Sequence, residues 1–354
     1  KISKTVPIVA RRIDGHTSVI NKAARKFLKS EGIKTDKDRI WEEASLNISN
    51  YFIYPEKVVR EGVKKAIEKS YELGLAGATD YVTAQFHKYY SVAENELRDF
   101  IIFAYSNYPL ELDPGKYGDN YYLKGLKLFL DGSVGAETAA FSFLNGEDNL
   151  LFRSKELLKV MEEYQNKYGG EISIHCIGDL AIKQALDVTA KIGLDGDKLR
   201  LEHAEYPNIE QIEEISKRKI KVSLQPNFIG MWGQENGMYR DKLGDNYKKN
   251  NPLRAYHDSV NSLSFGSDNM PLSPSFGIYW AVNHPVKEQR LSLEEAIDLY
   301  SFRAYDFYGL EIPFFKEGEK VNFLGYREKP DIEEGEEFLN PDITVINGRI
   351  KYEN

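Results

Sequence analysis

Strand-like and helix-like segments alternate along most of this 354-residue chain, and this alternation restricts the fold more than any other feature of the sequence. Strands that are separated by helices pair in parallel through right-handed crossovers. The pattern therefore predicts an α/β fold, and eight such units favour a TIM-like (β/α)8 barrel, although a doubly wound open sheet has the same local signals. The apolar strand candidates are residues 5–12, 77–84, 99–106, 125–132, 171–178, 199–206, 220–227 and 262–269.

The helical segments between these strands have recognisable first residues. Ser154 is expected to cap the segment "KELLKVMEEYQNKY". Asn208 with Gln211, and Ser292 with Glu295, have the spacing of capping boxes, in which two side chains satisfy the first backbone N–H groups of a helix. These signals support helices between the strands, as the barrel requires.

Two regions lack a regular period. Residues 228–258 are rich in glycine, asparagine and charged residues, and they predict a long loop over the barrel. Near the C-terminus, Asn347 and Gly348 separate two alternating segments, which is a hairpin signal. We expect this hairpin to belong to a small β element outside the barrel.

Composition excludes several functional classes. The net charge of −8 and the absence of a dominant Lys/Arg face argue against nucleic acid as a partner, and no segment has the roughly 20 apolar residues of a membrane span. The single cysteine, Cys176, excludes an internal disulfide and a cysteine-rich zinc cluster, and it suits a reducing compartment. The sequence predicts a cytoplasmic protein with a small-molecule partner, and it leaves homodimer formation open.

Several polar residues stand at the ends of predicted strands. His175, His203 and Asp268 end three strands, and Lys127 and Asp131 lie on a fourth. A lone histidine in this position is more often a hydrogen-bonded structural residue than a ligand. A barrel, however, brings the carboxyl ends of its strands together at one face, and imidazoles with a carboxylate are suitable ligands for a divalent metal such as zinc.

Strand alternation suggests which residues face this site. Alternate residues of a strand point to the same side, so His203 shares a face with Leu201. Arg200 and Glu202 then lie on the opposite face, where strand alternation by itself suggests no role for them beyond a mutual ion pair.

Six ordered motifs resemble those of the metal-dependent amidohydrolase superfamily. They cover nearly the whole chain, and they are most similar to the branch that contains N-substituted formamide deformylase and many uncharacterised hydrolases. The motifs are "RRIDGHTSVINKAA", "KLFLDGSVGAETAAF", "HCIGDLAIKQALD", "RLEHAEYPNIEQIEEISKRKIKVSLQPNF", "FGSDNMPLSPSFGIYWAVN" and "LSLEEAIDLYSFRAY".

The resemblance implies roles for the residues at the strand ends. His175 and His203 match metal-binding histidines of the fifth and sixth barrel strands, and Asp268 matches the last-strand aspartate that contacts metal and serves as the general base. Lys127 matches a fourth-strand lysine that is carboxylated and bridges two metals in many members. The implied cofactor is one or two divalent ions, with zinc the expected metal.

Other residues are expected around this centre. The resemblance implies that His16, Asp131 and Gln225 line the substrate pocket. Asp179 and Glu202 are candidates for orienting the imidazoles, while a turn cap and a salt bridge are equally supported roles for these two residues. The implied activity is hydrolysis of a C–N bond, of amide or formamide type, by a metal-activated water.

The sequence also departs from the family. It contains no His-x-His, the pair that supplies two metal ligands from the first barrel strand, and the first half of the family's β-sandwich domain is absent. We therefore expect a barrel over residues 1–310 that lacks its first strand and has an incomplete metal site, with residues 311–354 returning to a small β-sandwich domain. Glu137 and Asn227 replace an arginine and a histidine that are common in the family.

Two other functions are compatible with the sequence. A barrel without the His-x-His pair is consistent with a protein that has lost catalysis and acts in binding or regulation. A phosphate-binding barrel enzyme would carry a glycine-rich loop after its last strands, whereas this chain has the proline-rich turn "FGSDNMPLSP".

Overall fold

The computed structural model of the chain contains one long sheet of parallel strands and two small antiparallel sheets. The structure describes residues 3–12, 17–33, 35, 38–41, 45, 48, 54–110, 112–144, 146–312, 315–328 and 339–354. The strands are β1 (Val9–Arg11), β2 (Thr17–Ile20), β3 (Arg39–Trp41), β4 (Gly77–Val82), β5 (Ile101–Asn107), β6 (Gly115–Lys116), β7 (Tyr121–Phe129), β8 (Glu171–Cys176), β9 (Leu199–His203), β10 (Lys221–Leu224), β11 (Leu263–Phe265), β12 (Phe323–Gly325), β13 (Ile343–Ile346) and β14 (Arg349–Glu353).

Helices occupy most of the connections between the parallel strands. The α-helices are α1 (Lys22–Ser30), α2 (Glu56–Glu72), α3 (Ala84–Val92), α4 (Ser154–Tyr168), α5 (Asp179–Lys191), α6 (Ile209–Lys217), α7 (Asn227–Trp232), α8 (Met238–Leu243), α9 (Leu253–Ser259), α10 (Pro274–Val282), α11 (Leu293–Tyr300) and α12 (Phe302–Tyr308). Short 3-10 helices span Glu94–Leu97, Gly146–Asn149, Gly196–Lys198, Gly244–Lys249 and Lys287–Gln289. In the described part of the chain, no helix combines the length and the apolar character of a membrane span.

The main sheet confirms the predicted α/β, TIM-like architecture. Its strand order is β11-β10-β9-β8-β7-β5-β4, and all neighbours along this path are parallel. The short strand β6 pairs antiparallel with β7. Among the described residues, no strand pairing joins β4 to β11, so the sheet is an open barrel with these two strands at its edges.

The first strand candidate, residues 5–12, does not belong to this sheet. Its strand β1 pairs antiparallel with β2, which pairs antiparallel with β3. Ile20, Leu28 and Ile40 form a separate hydrophobic cluster on this small sheet and helix α1. Strand β1 thus pairs with neighbours close in the chain, and of its residues Val9 packs partly buried against this cluster.

The parallel strands have an apolar outer face and a polar inner face. Register places Lys127 beside Ser173, Ser173 beside Arg200 and His175 beside Glu202, so these inner side chains line the barrel. The outer face packs against the helices and forms the largest hydrophobic core. Its strand residues include Leu126, Leu128, Ile172, Ile174, Leu199, Leu201, Val222 and Leu224.

Arg200 and Glu202 therefore face the barrel interior, and the face assigned to them from the sequence was wrong. Their expected mutual ion pair is present. Arg200 also donates hydrogen bonds across the barrel to Thr79 Oγ1 and Tyr308 Oη, both at 2.9 Å, and Glu202 accepts one from Ser173 Oγ at 3.0 Å. These contacts connect β9 with β4, β8 and α12.

The predicted helix starts are largely confirmed. Both capping boxes, Asn208 with Gln211 and Ser292 with Glu295, are present. Ser154 is instead the first residue of α4, whose cap is Arg153, because the carboxylate of Glu156 accepts the Arg153 N–H at 3.2 Å.

The predicted loop over residues 228–258 is wrong, because most of the segment is helical. It contains nearly all of α7, followed by α8, a 3-10 helix and α9. Each helix is only six or seven residues long, so a 3.6-residue period is hard to recognise in the sequence. Trp232, Tyr239 and Tyr247 pack against Phe141 and Tyr206, and this aromatic cluster holds the segment in place.

The C-terminal hairpin is confirmed. Strands β13 and β14 pair antiparallel, and Asn347 and Gly348 between them both have positive φ, as a tight hairpin turn requires. The sheet packs on α2, where Thr344 Oγ1 donates to the Tyr71 carbonyl at 2.8 Å. The division into a barrel and a separate domain at residue 311 stays a prediction.

The buried ion pair yields a stability prediction. Replacing Arg200 by Met leaves the Glu202 carboxylate buried without its counter-ion, which should lower the free energy of unfolding by about 3–5 kcal/mol. The double variant Arg200→Met/Glu202→Gln should lose less, because no charge is then stranded. Urea unfolding followed by circular dichroism measures both. Equal losses in the two variants would contradict this account, and Lys183→Met, at an exposed ion pair, should change stability by less than about 0.5 kcal/mol.

A second prediction concerns acid stability. The hydrogen bond from Arg254 at 2.6 Å, together with the Ser292 N–H, lowers the pKa of Glu295 to about 2. The folded state thus binds a proton at the Glu295 carboxylate less readily than the unfolded state does. The contribution of ionised Glu295 to the free energy of unfolding is therefore present above about pH 4.5 and disappears as the pH falls towards 2. Glu295→Gln should flatten the curve of stability against pH in this window. Glu163→Gln, at an exposed helical pair, is the control and should leave the curve unchanged.

Candidate metal centre and active site

His175 is the penultimate residue of strand β8, at the carboxyl end of the parallel sheet. Its side chain is buried, and Nε2 lies 3.0 Å from the carbonyl oxygen of Gly132. A carbonyl can only accept, so Nε2 carries the proton and Nδ1 carries the ring's lone pair. The same Nε2 lies 3.7 Å from Asp131 Oδ1, which favours this tautomer. In this tautomer the lone pair of the ring is on Nδ1, and metal binding through that atom stays a prediction.

His203 reaches the same end of the sheet by a break in strand alternation. Leu201 is on the outer face, and continued alternation would place His203 there too, so the sequence-based reason for putting His203 at the site was wrong. His203 and Ala204 instead have φ values of 69° and 41°, which turn the chain at the strand end. The two histidine rings consequently meet edge to face, with centroids 4.6 Å apart.

Gln225 fixes the tautomer of His203. The Gln225 amide nitrogen donates to the backbone oxygen and the hydroxyl of Ser223, at 3.2 and 3.3 Å, so its oxygen faces His203. His203 Nδ1 donates to that oxygen at 2.8 Å, which leaves the lone pair on Nε2. Gln225 is thus a positioning residue for His203, and its expected contact with substrate stays a prediction.

Lys127 is the buried amine beneath the two imidazoles. Among the described residues, its Nζ has no hydrogen-bond partner, and it lies 4.0 Å from the centroid of the Tyr81 ring. Burial lowers the pKa of Lys127 to about 8, although the charges of Glu202 and Asp268 favour the protonated form. With this pKa the amine is mostly protonated at pH 7, but its neutral fraction is larger than that of a lysine in water.

Asp268 stands in the turn after β11. It has a φ of 47° and is followed by Asn269 at 58°, a conformation that few residues other than glycine adopt. Its charge acts on both Lys127 and the buried Glu205. The structure thus brings Asp268 to the same end of the barrel as the histidines, while its role as general base stays a prediction.

Asp131 anchors the loop that follows β7. Its carboxylate accepts backbone N–H groups from Ile177 at 2.9 Å, Gly178 at 2.9 Å and Ala140 at 3.0 Å. These bonds occupy both oxygens and join the loop to the end of β8 beside His175. A contact between Asp131 and substrate stays a prediction.

The remaining expected residues differ in their placement. His16 lies outside the described residues. Asp179 accepts the Ser142 N–H at 2.9 Å at the start of α5, so the turn cap is its role here. Glu202 pairs with Arg200, and the charges of Arg200 and Lys127 outweigh its burial and lower its pKa to about 2. The structure therefore favours the turn cap for Asp179 and the salt bridge for Glu202 over a role in orienting the imidazoles.

Two residues beside the histidines were not singled out from the sequence. Phe228 stacks on His203 with centroids 5.5 Å apart and planes 17° apart, and Trp232 packs against Phe228. Glu205 is buried, and burial raises the pKa of its carboxyl to about 8. The apolar run "NFIGMW" could have indicated a helix near the site, whereas no spacing distinguishes Glu205 from neighbouring acids.

The donor set partly fits a metal centre. His175 and His203 present one lone pair each, and Lys127 contributes a buried amine with no hydrogen bond among the described residues. Within the same described ranges, no group of three His, Cys, Asp or Glu side chains is arranged to hold an ion. The described residues therefore provide part of a metal site. A complete site requires further ligand atoms or a chemical modification of the Lys127 amine.

Comparisons with known structures agree with this architecture. An uncharacterised metal-dependent hydrolase from Pyrococcus furiosus is 28% identical with a TM-score of 0.68, over 86% of this chain and 69% of that chain. Its counterpart from Pyrococcus horikoshii is 24% identical with a TM-score of 0.69, over 85% and 67%. Atrazine chlorohydrolase TrzN from Arthrobacter aurescens, at 13% identity and a TM-score of 0.54 over 85% of this chain and 73% of that chain, shares the fold.

Sequence comparison gives the family. The Bacillus subtilis protein YtcJ, a putative amidohydrolase by name, is 27% identical over an alignment of 256 positions that covers 64% of this chain and 47% of YtcJ. The chain thus spans about half the length of this curated relative. A family model described as the amidohydrolase family matches residues 1–312. The chain belongs to the amidohydrolase family.

Proposed function

We propose that this chain is the barrel portion of a metal-dependent hydrolase that cleaves a C–N bond, of amide or formamide type, in a small molecule. The observation that carries the proposal is the pair of buried imidazoles, His175 and His203, whose rings lie 4.6 Å apart with opposite tautomers. They lie at the carboxyl ends of parallel strands, where barrel enzymes build their active sites. The single buried Cys176 is consistent with a cytoplasmic protein.

The relatives support a metal cofactor. The two Pyrococcus structures are described as metal-dependent hydrolases, and the TrzN structure contains zinc. We propose zinc for this protein, because imidazole nitrogen and carboxylate oxygen both suit that ion.

Four residues are proposed as ligands. His175 would bind through Nδ1 and His203 through Nε2, since these atoms carry the lone pairs. Asp268 would add a carboxylate oxygen. The Lys127 amine would bind after its neutral form adds CO2 and releases a proton, which gives a carbamate with anionic oxygen donors; a bound cation would compensate the negative charge of that buried group. The first-strand His-x-His of the family is not encoded in these 354 residues.

The side chains of the protein would then have different roles in catalysis. When bound, a divalent ion lowers the pKa of a water molecule and polarises the substrate carbonyl. Asp268 takes the proton of the attacking water and delivers it to the leaving nitrogen, as a general base and then a general acid. Gln225 holds the His203 ring in one tautomer through its Nδ1 atom, and Phe228 stacks on a face of that ring.

A second candidate is a barrel that binds a ligand without hydrolysing it. Two observations favour it: the lack of a His-x-His pair in the sequence, and the lack of a three-residue His/Cys/Asp/Glu group in the described ranges. The two candidates differ in metal content, which is directly measurable.

The first test is metal content per chain. After incubation with zinc and desalting, elemental analysis of the chain and of the full product of its gene should give about one or two equivalents, the number of ions that zinc hydrolase sites hold. His175→Ala and His203→Ala should each lose most of this zinc, because each removes an imidazole ligand. The control is His257→Ala, which removes a histidine paired with Asp258 on α9 and should retain the metal. Absence of zinc from both proteins would exclude the hydrolase and leave the binding barrel.

The second test addresses the tautomer of His203. Gln225→Leu removes the acceptor at Nδ1, so the ring loses its fixed orientation, and zinc affinity should fall by about 10- to 100-fold. Gln225→Glu keeps an acceptor and should bind zinc at least as well as the wild type. Competition with a chromogenic chelator measures both affinities. Equal weakening in the two variants would show that the contact with Nδ1 does not control binding.

A further inference from the structure

A concave site lies at the opposite end of the barrel from the histidines. It has a volume of about 510 Å³ and is formed at the amino-terminal ends of β7, β8 and β10 and at the 3-10 helix before β9. His175 and His203 are at the carboxyl ends of β8 and β9, so the two sites do not share residues. Its charged and aromatic lining residues are Lys116, Tyr122, Lys124, Glu171, Asp197, Lys198 and Lys221.

The lining of this site is cationic in a protein that is anionic overall. Four lysines and two acids give the site a formal charge of +2, whereas the chain carries −8. The lysines come from four separate elements, so the fold, and not a run of basic sequence, brings them together. A concave patch of one sign concentrates ions of the other sign near it.

Two of the lysines are held in place by a partly buried carboxylate. Glu171 lies 2.9 Å from Lys124 Nζ and 3.5 Å from Lys221 Nζ, and it also accepts a hydrogen bond from Tyr105 at 2.8 Å. Burial opposes its charge, but Lys221 and Lys124 outweigh burial and keep the pKa of Glu171 below its usual value. One carboxylate therefore orders two ammonium groups and leaves their combined charge in excess by one.

The other two lysines extend this positive surface outward. Lys116 lies 5.8 Å above the Tyr122 ring, and its ion pair with Asp119 is 3.5 Å long and exposed. Lys198 has no ion pair with a described residue and lies between Asp197 and the start of β9. The Lys116 side chain is 54% exposed and the Lys221 side chain 19%, so the lining includes both an exposed and a largely buried ammonium group.

We propose that this cavity binds a small dianionic oxyanion, such as a phosphate group or a dicarboxylate, at the amino-terminal face of the barrel. Phosphate and carboxylate oxygens accept hydrogen bonds from lysine ammonium groups, and charge-assisted bonds of this kind are stronger than neutral ones. An anion also complements the positive charge of the site, which is +2 for the lining residues and +1 when Asp119, the partner of Lys116, is counted. The site is independent of the hydrolase proposal, because none of its residues belongs to the histidine centre.

The test is titration calorimetry with inorganic phosphate, at constant ionic strength and with a chelator present to remove metal from the histidine centre. We expect one saturable site in the wild type. Lys116→Gln/Lys198→Gln should weaken phosphate binding at least about tenfold, because it removes two of the cationic contacts. The control Lys159→Gln/Lys183→Gln makes the same change in net charge on exposed helix faces and should bind as the wild type does.

The same titration with succinate distinguishes the source of the oxyanion. Binding of phosphate but not succinate assigns a phosphate group, and the reverse assigns a dicarboxylate. The absence of a saturable site for either probe, or equal weakening in the two double variants, would overturn the proposal. His175→Ala should bind the probe normally, and a loss of binding in that variant would place the anion at the histidine centre instead.

Discussion

The buried ion pair between Arg200 and Glu202 is the interaction on which the barrel interior depends. Both side chains are almost completely removed from water, and neither charge would be tolerated there alone. Arg200 spans the barrel from β9 to Thr79 on β4 and to Tyr308 on α12. In a sheet whose edge strands β4 and β11 do not pair within the described residues, these bonds connect one edge of the sheet to its middle.

The same pair sets the electrostatic conditions of the candidate centre. Glu202 remains ionised at neutral pH and lies near Lys127, so its charge compensates part of the desolvation of that amine. The barrel interior is therefore polar and held by hydrogen bonds between strands, while its outer face is apolar. Such cross-strand contacts beneath the histidines are the kind of support that a preorganised site requires.

Much of the fold could be predicted from the sequence, because strand alternation and helix caps are local signals. Seven of the eight strand segments and both capping boxes are present as expected. The short helices between residues 228 and 258 could not be recognised, since six residues are too few to display a helical period. At the site, the position of His203 depends on a positive φ, and the inward face of Arg200 depends on register between strands, neither of which is visible in a single sequence.

The opposite tautomers of the two histidines make the two sides of the candidate centre unequal. Nδ1 is one bond closer to the backbone than Nε2, so the lone pair of His175 has a shorter reach from β8 than the lone pair of His203 has from β9. The surroundings of the two rings also differ, because His175 contacts the loop carbonyl of Gly132 whereas His203 stacks on the aromatic ring of Phe228. The two sides of the barrel mouth are thus chemically unlike.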